Sequence, residues 1–349
     1  MTALGTQLLA EIGEQPDVLT RLLADGWAEV VEAAEQIRRF NPEFVVIAAR
    51  GTSDNAARYA QYLFGAQHKL AVALATPSLW TLYGAAPKLD RALVIGISQS
   101  GQSPDVVSVI ESARQQGGMT LAITNDPESP LAKAARATLQ LRTGQEKAVA
   151  ATKTYTASLM ALAMLSVALD GSASRRQELQ NVPVAVATAL ATAKAGMDGL
   201  AAEFTREQRF VVIGRGFNYS TAFEVALKMK ETTYAIAEPY SVADLLHGPV
   251  AMIDEGFPVI LVAPSGLGSD VDKLLGVIEK RKARLLTISD RAEVLERSHA
   301  RIALPSGVPE WLSPIVAIGP GQVWARSLAL AKGNDPDVPR GLNKVTLTH

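Results

Sequence analysis

The chain has no cysteine among its 349 residues, which excludes disulfides, thiolate metal sites and a cysteine nucleophile. It has no block of like charge either. Thirty-four Lys and Arg stand against 35 Asp and Glu, for a net charge of -1, and no basic run extends beyond a few residues, so nucleic acid is not an expected partner. Long apolar runs are missing: Met160 to Leu169, the most apolar stretch, is about half of what a bilayer span needs. The amino terminus lacks a basic region followed by an apolar segment. These absences lead us to expect a soluble, cytoplasmic protein with no membrane partner. There is no Gly-x-x-x-x-Gly-Lys-Ser/Thr and too few glycines for a dinucleotide fingerprint. The four histidines show no spacing that suggests a metal, and no cofactor is expected.

What is present is a large apolar complement. With 48% hydrophobic and 20% charged residues, the chain can bury a sizeable core, and two domains are the expectation at roughly 100 to 200 residues each. Four apolar runs end at turn residues: Phe44 to Ala49, Ala92 to Ile97, Phe210 to Ile213 and Val259 to Ala263. Such runs suit strands buried on both faces of a parallel sheet. The stretches between them are long enough for helices, so the order reads strand, helix, strand, helix, an α/β chain.

The chain also repeats itself. Phe44-Val45-Val46-Ile47 recurs 166 residues on as Phe210-Val211-Val212-Ile213, and a glycine turn (Gly51, Gly216) follows each. Ser100-Gly101 recurs as Ser265-Gly266, and Leu121 to Asn125 recurs as Leu286 to Asp290, both at an offset of 165. We therefore expect an N-terminal helical segment over 1–40, a first α/β subdomain over 41–171 and connecting helices over 172–204. A second subdomain of the same topology follows over 205–332, then a tail over 333–349.

The two copies differ where chemistry would sit. In the first, Ser98, Gln99, Ser100, Gly101, Gln102 and Ser103 lead into a helix with Pro104 at its first position. Hydroxyls and backbone N–H groups converge there at a helix start, which favours an anion. Thr52 and Ser53, in the turn after the first strand, belong to the same carboxyl edge of the sheet, where ligands of open α/β folds bind. The second copy reads Ala263-Pro264-Ser265-Gly266 and has lost the cluster. Hydroxyls in one such turn could simply cap a helix; two turns in one copy, absent from the other, favour a phosphate site in the first copy alone.

The second copy offers Glu224, Lys228 and Glu231, spaced i, i+4, i+7 on one helical stripe. An exposed pair of this kind stabilises a helix by about 0.2–0.5 kcal/mol. The neighbours Val225, Ala226, Leu227 and Met229 favour instead a partly buried array of acid, amine and acid. By itself His247, in Asp244-Leu245-Leu246-His247-Gly248-Pro249, reads as a structural loop residue, and Lys344 as a solvated tail lysine.

Taken together, these segments resemble the sugar isomerase (SIS) family, and within it the isomerase half of the glucosamine-6-phosphate synthases. The resemblance runs from Glu11-Ile12-Gly13-Glu14-Gln15-Pro16 through Arg50 to Ser53, Ser98 to Gly101, Ala151 to Thr156, Glu224 to Glu231 and His247 to Pro249. It ends at Pro339-Arg340 through Lys344. It implies two tandem SIS subdomains, each a flavodoxin-like, three-layer parallel sheet flanked by helices, related by internal duplication.

For the site, the resemblance implies that Gly51, Thr52, Ser53, Ser98, Gln99, Ser100 and Ser103 hold a sugar phosphate and that Val149, Ala150 and Ala151 touch the sugar. Glu231 matches the base that moves a proton between C1 and C2, and His247 the ring-opening acid/base, contributed across a homodimer interface. Lys344 matches a tail lysine that can form a Schiff base with the open-chain sugar, and Glu224 and Lys228 match supporting residues. Gln102-Ser103 replaces the family's Glu-Thr, Ala151 replaces a serine, and neither a glutaminase domain nor its cysteine is present in the sequence. The expectation is an SIS-type glucosamine-6-phosphate deaminase that releases fructose 6-phosphate and ammonia. The alternatives are another phosphosugar aldose–ketose isomerase, a fructosamine-6-phosphate deglycase, and a non-catalytic phosphosugar sensor.

Overall fold

The computed structural model describes residues 4–266 and 270–344. They form two compact units, each assembled from separate stretches of chain. One unit comprises Asp17–Glu146, Lys153–Asn181 and the tail from Asn343; the other comprises the chain up to Pro16, Lys147–Thr152 and Val182–Leu342.

The first of these units holds strands β1 (Phe44–Ala48), β2 (Ala71–Leu74), β3 (Ala92–Ile97), β4 (Met119–Thr124) and β5 (Ala137–Gln140). They pair in the order β2-β1-β3-β4-β5, all parallel. Both β3 and β4 are buried at every position, as expected of central parallel strands with helices on both faces. Val46, Ala48, Val94 and Ala122 share a core with Val106, Val109 and Ile110 of the helix Pro104–Gln115. The helices Trp27–Phe40 and Gly51–His68 pack on the helix Lys153–Asp170. That last helix contains the apolar stretch noted above and is buried from Lys153 through Ala168, so it is a core helix, apolar on all sides. No helix among the described residues is long and apolar enough to cross a membrane.

His68 ends the helix Gly51–His68, with Nε2 2.8 Å from Ser166 Oγ. Burial pushes its imidazole below the ordinary value of 6.5, Asp170 acts against that shift and Arg175 adds to it. A depressed imidazole binds fewer protons in the folded state than in the unfolded. Its neutral form is therefore compatible with full stability above about pH 6.5, and stability is lost as pH falls from there toward the depressed value. His68→Gln should flatten the acid-side fall of the thermal midpoint between roughly pH 7 and 5. Equal slopes for the two proteins would contradict this.

The second unit holds β6 (Arg209–Gly214), β7 (Ile236–Ser241), β8 (Pro258–Val262), β9 (Arg284–Ser289) and β10 (Ala300–Ala303). The order is β7-β6-β8-β9-β10, again all parallel, so the winding of the first sheet is repeated strand for strand. The four apolar runs of the sequence are β1, β3, β6 and β8; β3 has the same bounds as its run, and the other three have ends shifted by a residue. Six further strands were not expected as such, although the repeated segments Leu121 to Asn125 and Leu286 to Asp290 fall on β4 and β9.

The helix Tyr219–Thr233, which follows β6, packs on the helix Ser313–Ala331. The contact requires glycine at 321, since a Cβ there would lie 2.4 Å from Val225 Cγ2. The chain before Asn343 is pinned to this unit. Asp337 accepts the N–H groups of Gln7 (3.0 Å) and Leu8 (2.7 Å) at the start of the helix Thr6–Gly13. Arg340 N donates to the Tyr234 hydroxyl at 2.8 Å, just beyond the helix Tyr219–Thr233.

Candidate functional site

In the first unit the strand order reverses between β1 and β3, and ligands of doubly wound sheets bind at the carboxyl ends of the strands at such a point. Both hydroxyl-bearing segments lie there. Thr52 and Ser53 occupy the first turn of the helix Gly51–His68 itself, where a preceding turn was expected. After β3, Ser98 Oγ accepts the Gly101 N–H at 3.1 Å and Ser100 Oγ accepts the Gln102 N–H at 3.3 Å. Gln99 O accepts from Asn125 N at 3.1 Å, which ties the loop to the end of β4. Gly101 has φ 62°, and a Cβ there would meet Ser129 Oγ at 2.2 Å, so only glycine lets the loop fold this tightly. Ser103 occupies the N-cap of the helix Pro104–Gln115 with proline following, but its side chain makes no capping bond. The expected cap is thus positional, and the extended backbone at Ser103 makes the turn.

The corresponding turn in the second unit spends its donors internally. Ser265 N and Oγ both donate to the Asp290 carboxylate, at 2.6 and 2.7 Å. The difference between the copies read from the sequence therefore has a structural counterpart: an aspartate of the same chain takes the serine turn of the second copy.

Lys344 is not a solvated tail lysine. Its Nζ is 2.7 Å from Glu146 Oε2, and the Glu146 side chain is fully buried. Glu146 also accepts from Thr154 N (3.1 Å) and Thr154 Oγ1 (2.8 Å). A buried carboxylate held by two neutral donors and a cation is well satisfied. Sequence reasoning missed Glu146 because its partner lies 198 residues away.

In the second unit Glu224, Lys228 and Glu231 come together. Lys228 Nζ is 3.4 Å from Glu224 Oε1 and donates to Glu231 Oε2 at 2.5 Å. The side chains of Glu224 and Lys228 are buried (0% and 3% exposed), while 22% of Glu231 reaches the surface. The stripe is therefore a buried array that presents one carboxylate outward.

The segment carrying Val149, Ala150 and Ala151 is gripped by Glu11. This buried carboxylate accepts the N–H groups of Lys147 (2.5 Å) and Ala148 (3.2 Å). Gln15 Nε2 donates to Gln322 Oε1 at 2.7 Å, and Gln322 Nε2 donates to Thr152 O at 3.4 Å. The Glu11 to Pro16 motif thus shapes this loop. Ala150 is buried, and Val149 and Ala151 are partly exposed.

His247 follows the short helix Val242–Leu246 as its C-cap, in a turn that leads on to Gly248, and is exposed. Among the described residues no group of three or more His, Asp or Glu could hold a metal. A surface cavity of about 650 Å³ lined by Glu111, Arg114, Gln115, Pro130, Lys133 and Ala134 lies at the far end of the helix Pro104–Gln115 from the serine loop. It contains none of the groups above.

Duplicated 2-1-3-4-5 parallel sheets, one with a hydroxyl-rich loop at its switch point and the other with a buried acid–amine array, define a doubly wound α/β protein built from two copies of one unit. The SIS domain family matches residues 29–168 and 203–330, and the chain belongs to that family. It is 36% identical over 349 residues to the glutamine--fructose-6-phosphate aminotransferase [isomerizing] of Thermococcus kodakarensis, covering 97% of this chain and 57% of that protein. The chain thus spans a little over half the length of the curated relatives it matches. Among solved structures, a candidate phosphosugar isomerase from Silicibacter pomeroyi superposes with TM-score 0.85 at 34% identity, covering 95% of this chain and 100% of the other. A glucosamine-6-phosphate deaminase from Thermotoga maritima shares the fold with TM-score 0.81 at 22% identity, covering 98% and 100%.

Proposed function

We propose that this protein acts on glucosamine 6-phosphate, shifting a proton from C2 to C1 and releasing fructose 6-phosphate and ammonia. The observation that carries the reading is the array on the helix Tyr219–Thr233. Glu231, 22% exposed, is the one member of the three that is not buried, and Lys228 fixes its orientation from the buried side. An enolamine intermediate needs a single base that can serve both carbons, and a carboxylate fixed by an ammonium at 2.5 Å suits that task. In this reading His247 opens the pyranose, and the loops at β1 and β3 hold the phosphate. Glu231 takes the C2 proton and returns it to C1, giving the C2 imine of fructose, which water hydrolyses. Lys344 assists at the open-chain carbonyl. Attack by its amine requires it to lose a proton, and Glu146 is the adjacent carboxylate that can accept one. Lys228, being buried, orients Glu231.

The release direction needs only the amino sugar and water, whereas synthesis needs ammonia delivered to the imine, so release is the direction this site can run unaided. Incubation with glucosamine 6-phosphate should yield ammonia and fructose 6-phosphate in equal amounts in coupled assays; formation of neither would remove the proposal. Ala151, partly exposed on the sugar loop where the resemblance expects a serine, supports a second reading as a fructosamine-6-phosphate deglycase. Turnover of that substrate in place of glucosamine 6-phosphate would select it. The exposure of His247 fits its being offered to a second copy in a homodimer, and an active monomer in sedimentation would count against that.

A further inference from the structure

We propose that Arg50 is a positioning residue for phosphate recognition, acting through a bridge to Asp105 that joins the starts of the two helices bearing the phosphate-loop hydroxyls. This rests on the reading of those loops as the phosphate site. Arg50 is the N-cap residue of the helix Gly51–His68, separated from Thr52 and Ser53 by Gly51 alone. Asp105 is the second residue of the helix Pro104–Gln115, separated from the serine loop by Pro104 alone. Arg50 Nε donates to Asp105 Oδ2 at 2.7 Å, and the carboxylate is buried with its other oxygen taking the Val106 N–H at 2.9 Å. One ion pair, anchored on a buried carboxylate, therefore fixes the spacing of two hydroxyl segments that lie far apart in sequence. A ligand that must be met from both segments at once depends on that spacing.

The same bridge recurs in the second unit, which supplies an internal control. Arg215 caps the 3-10 turn after β6 with nearly the same backbone, φ −144° and ψ 153° against φ −138° and ψ 153° at Arg50. It is paired with Asp270, the first residue of the helix Asp270–Lys280. There the serine turn donates to Asp290. The bridge is thus a shared structural part of both copies, and in the first copy alone does it hold a phosphate turn in register.

The test compares Arg50→Gln, Asp105→Asn and Arg215→Gln in the full chain by calorimetric titration with inorganic phosphate, by kcat and KM with glucosamine 6-phosphate, and by thermal unfolding. Loss of a charge-assisted contact should weaken phosphate binding and raise KM about tenfold in the first two variants, with kcat within about twofold of wild type. Arg215→Gln should lower the thermal midpoint by a similar amount yet leave phosphate affinity and KM unchanged. Wild-type affinity in Arg50→Gln overturns the proposal, as does an equal loss in Arg215→Gln. Wild-type affinity in Asp105→Asn alone also overturns it, since Arg50 would then act as a bare charge. Should Arg50→Gln fail to fold, Asp105→Asn decides alone. If the wild-type chain binds no phosphate, or Ser98→Ala/Ser100→Ala binds it as wild type does, the phosphate reading itself fails, which is a distinct result.

Discussion

Glu231→Gln should fold and bind inorganic phosphate like the wild type while its turnover of glucosamine 6-phosphate falls by about 10²–10⁴-fold, the usual contribution of a positioned acid/base. The substitution is close to isosteric, and a glutamine oxygen can still accept from Lys228 Nζ, which lies 2.5 Å from the native carboxylate. The buried part of the array therefore survives. What disappears is the ability to accept the C2 proton. Because the phosphate-loop hydroxyls reside in the other compact unit, KM should change far less than kcat, the pattern of a group whose interaction develops in the transition state. Steady-state kinetics with a coupled ammonia assay, beside a phosphate titration as a check on folding, measures both. Turnover at the wild-type rate would take Glu231 out of the mechanism.

The parts of this fold legible in the sequence are those whose environment is uniform. Strands β3 and β8 are buried at every position, so each reads as an unbroken apolar run. The edge strands do not. Strand β2 alternates exposed and half-buried residues over four positions, and β7 contains Glu238 and Pro239, both tolerated because an edge strand leaves one side unpaired. Strands β4 and β9 are central but carry threonines, and only the internal repeat drew attention to them. For the candidate site, spacing alone placed Glu224, Lys228 and Glu231 on one stripe, since their contacts are local to one helix. Glu146, Glu11 and the Arg50–Asp105 bridge stayed hidden for the opposite reason. Their partners lie 198, 136 and 55 residues away, and no local pattern encodes a contact made by the tertiary fold.

Lys228→Met should be among the most destabilising single substitutions in the chain, costing about 3–5 kcal/mol, the usual penalty for removing one partner of a buried ion pair. Lys228 is 3% exposed and Glu224 not at all, so water cannot replace the ammonium that faces Glu224 at 3.4 Å and Glu231 at 2.5 Å. Methionine fills the stem volume, which separates loss of charge from loss of packing. Two carboxylates then share a site with no cation between them. Against a typical total stability of about 5–15 kcal/mol, urea unfolding should show a midpoint shift with little change in slope. Adding Glu224→Gln to Lys228→Met should restore a large part of the loss, because the deeper of the two stranded charges is then gone. The double-mutant cycle should give a coupling of about 1–3 kcal/mol. Strictly additive losses would mean that Glu224 and Lys228 do not sense each other. Activity in the double variant should stay low even where stability returns, since Glu231 would still lack the donor that aims it.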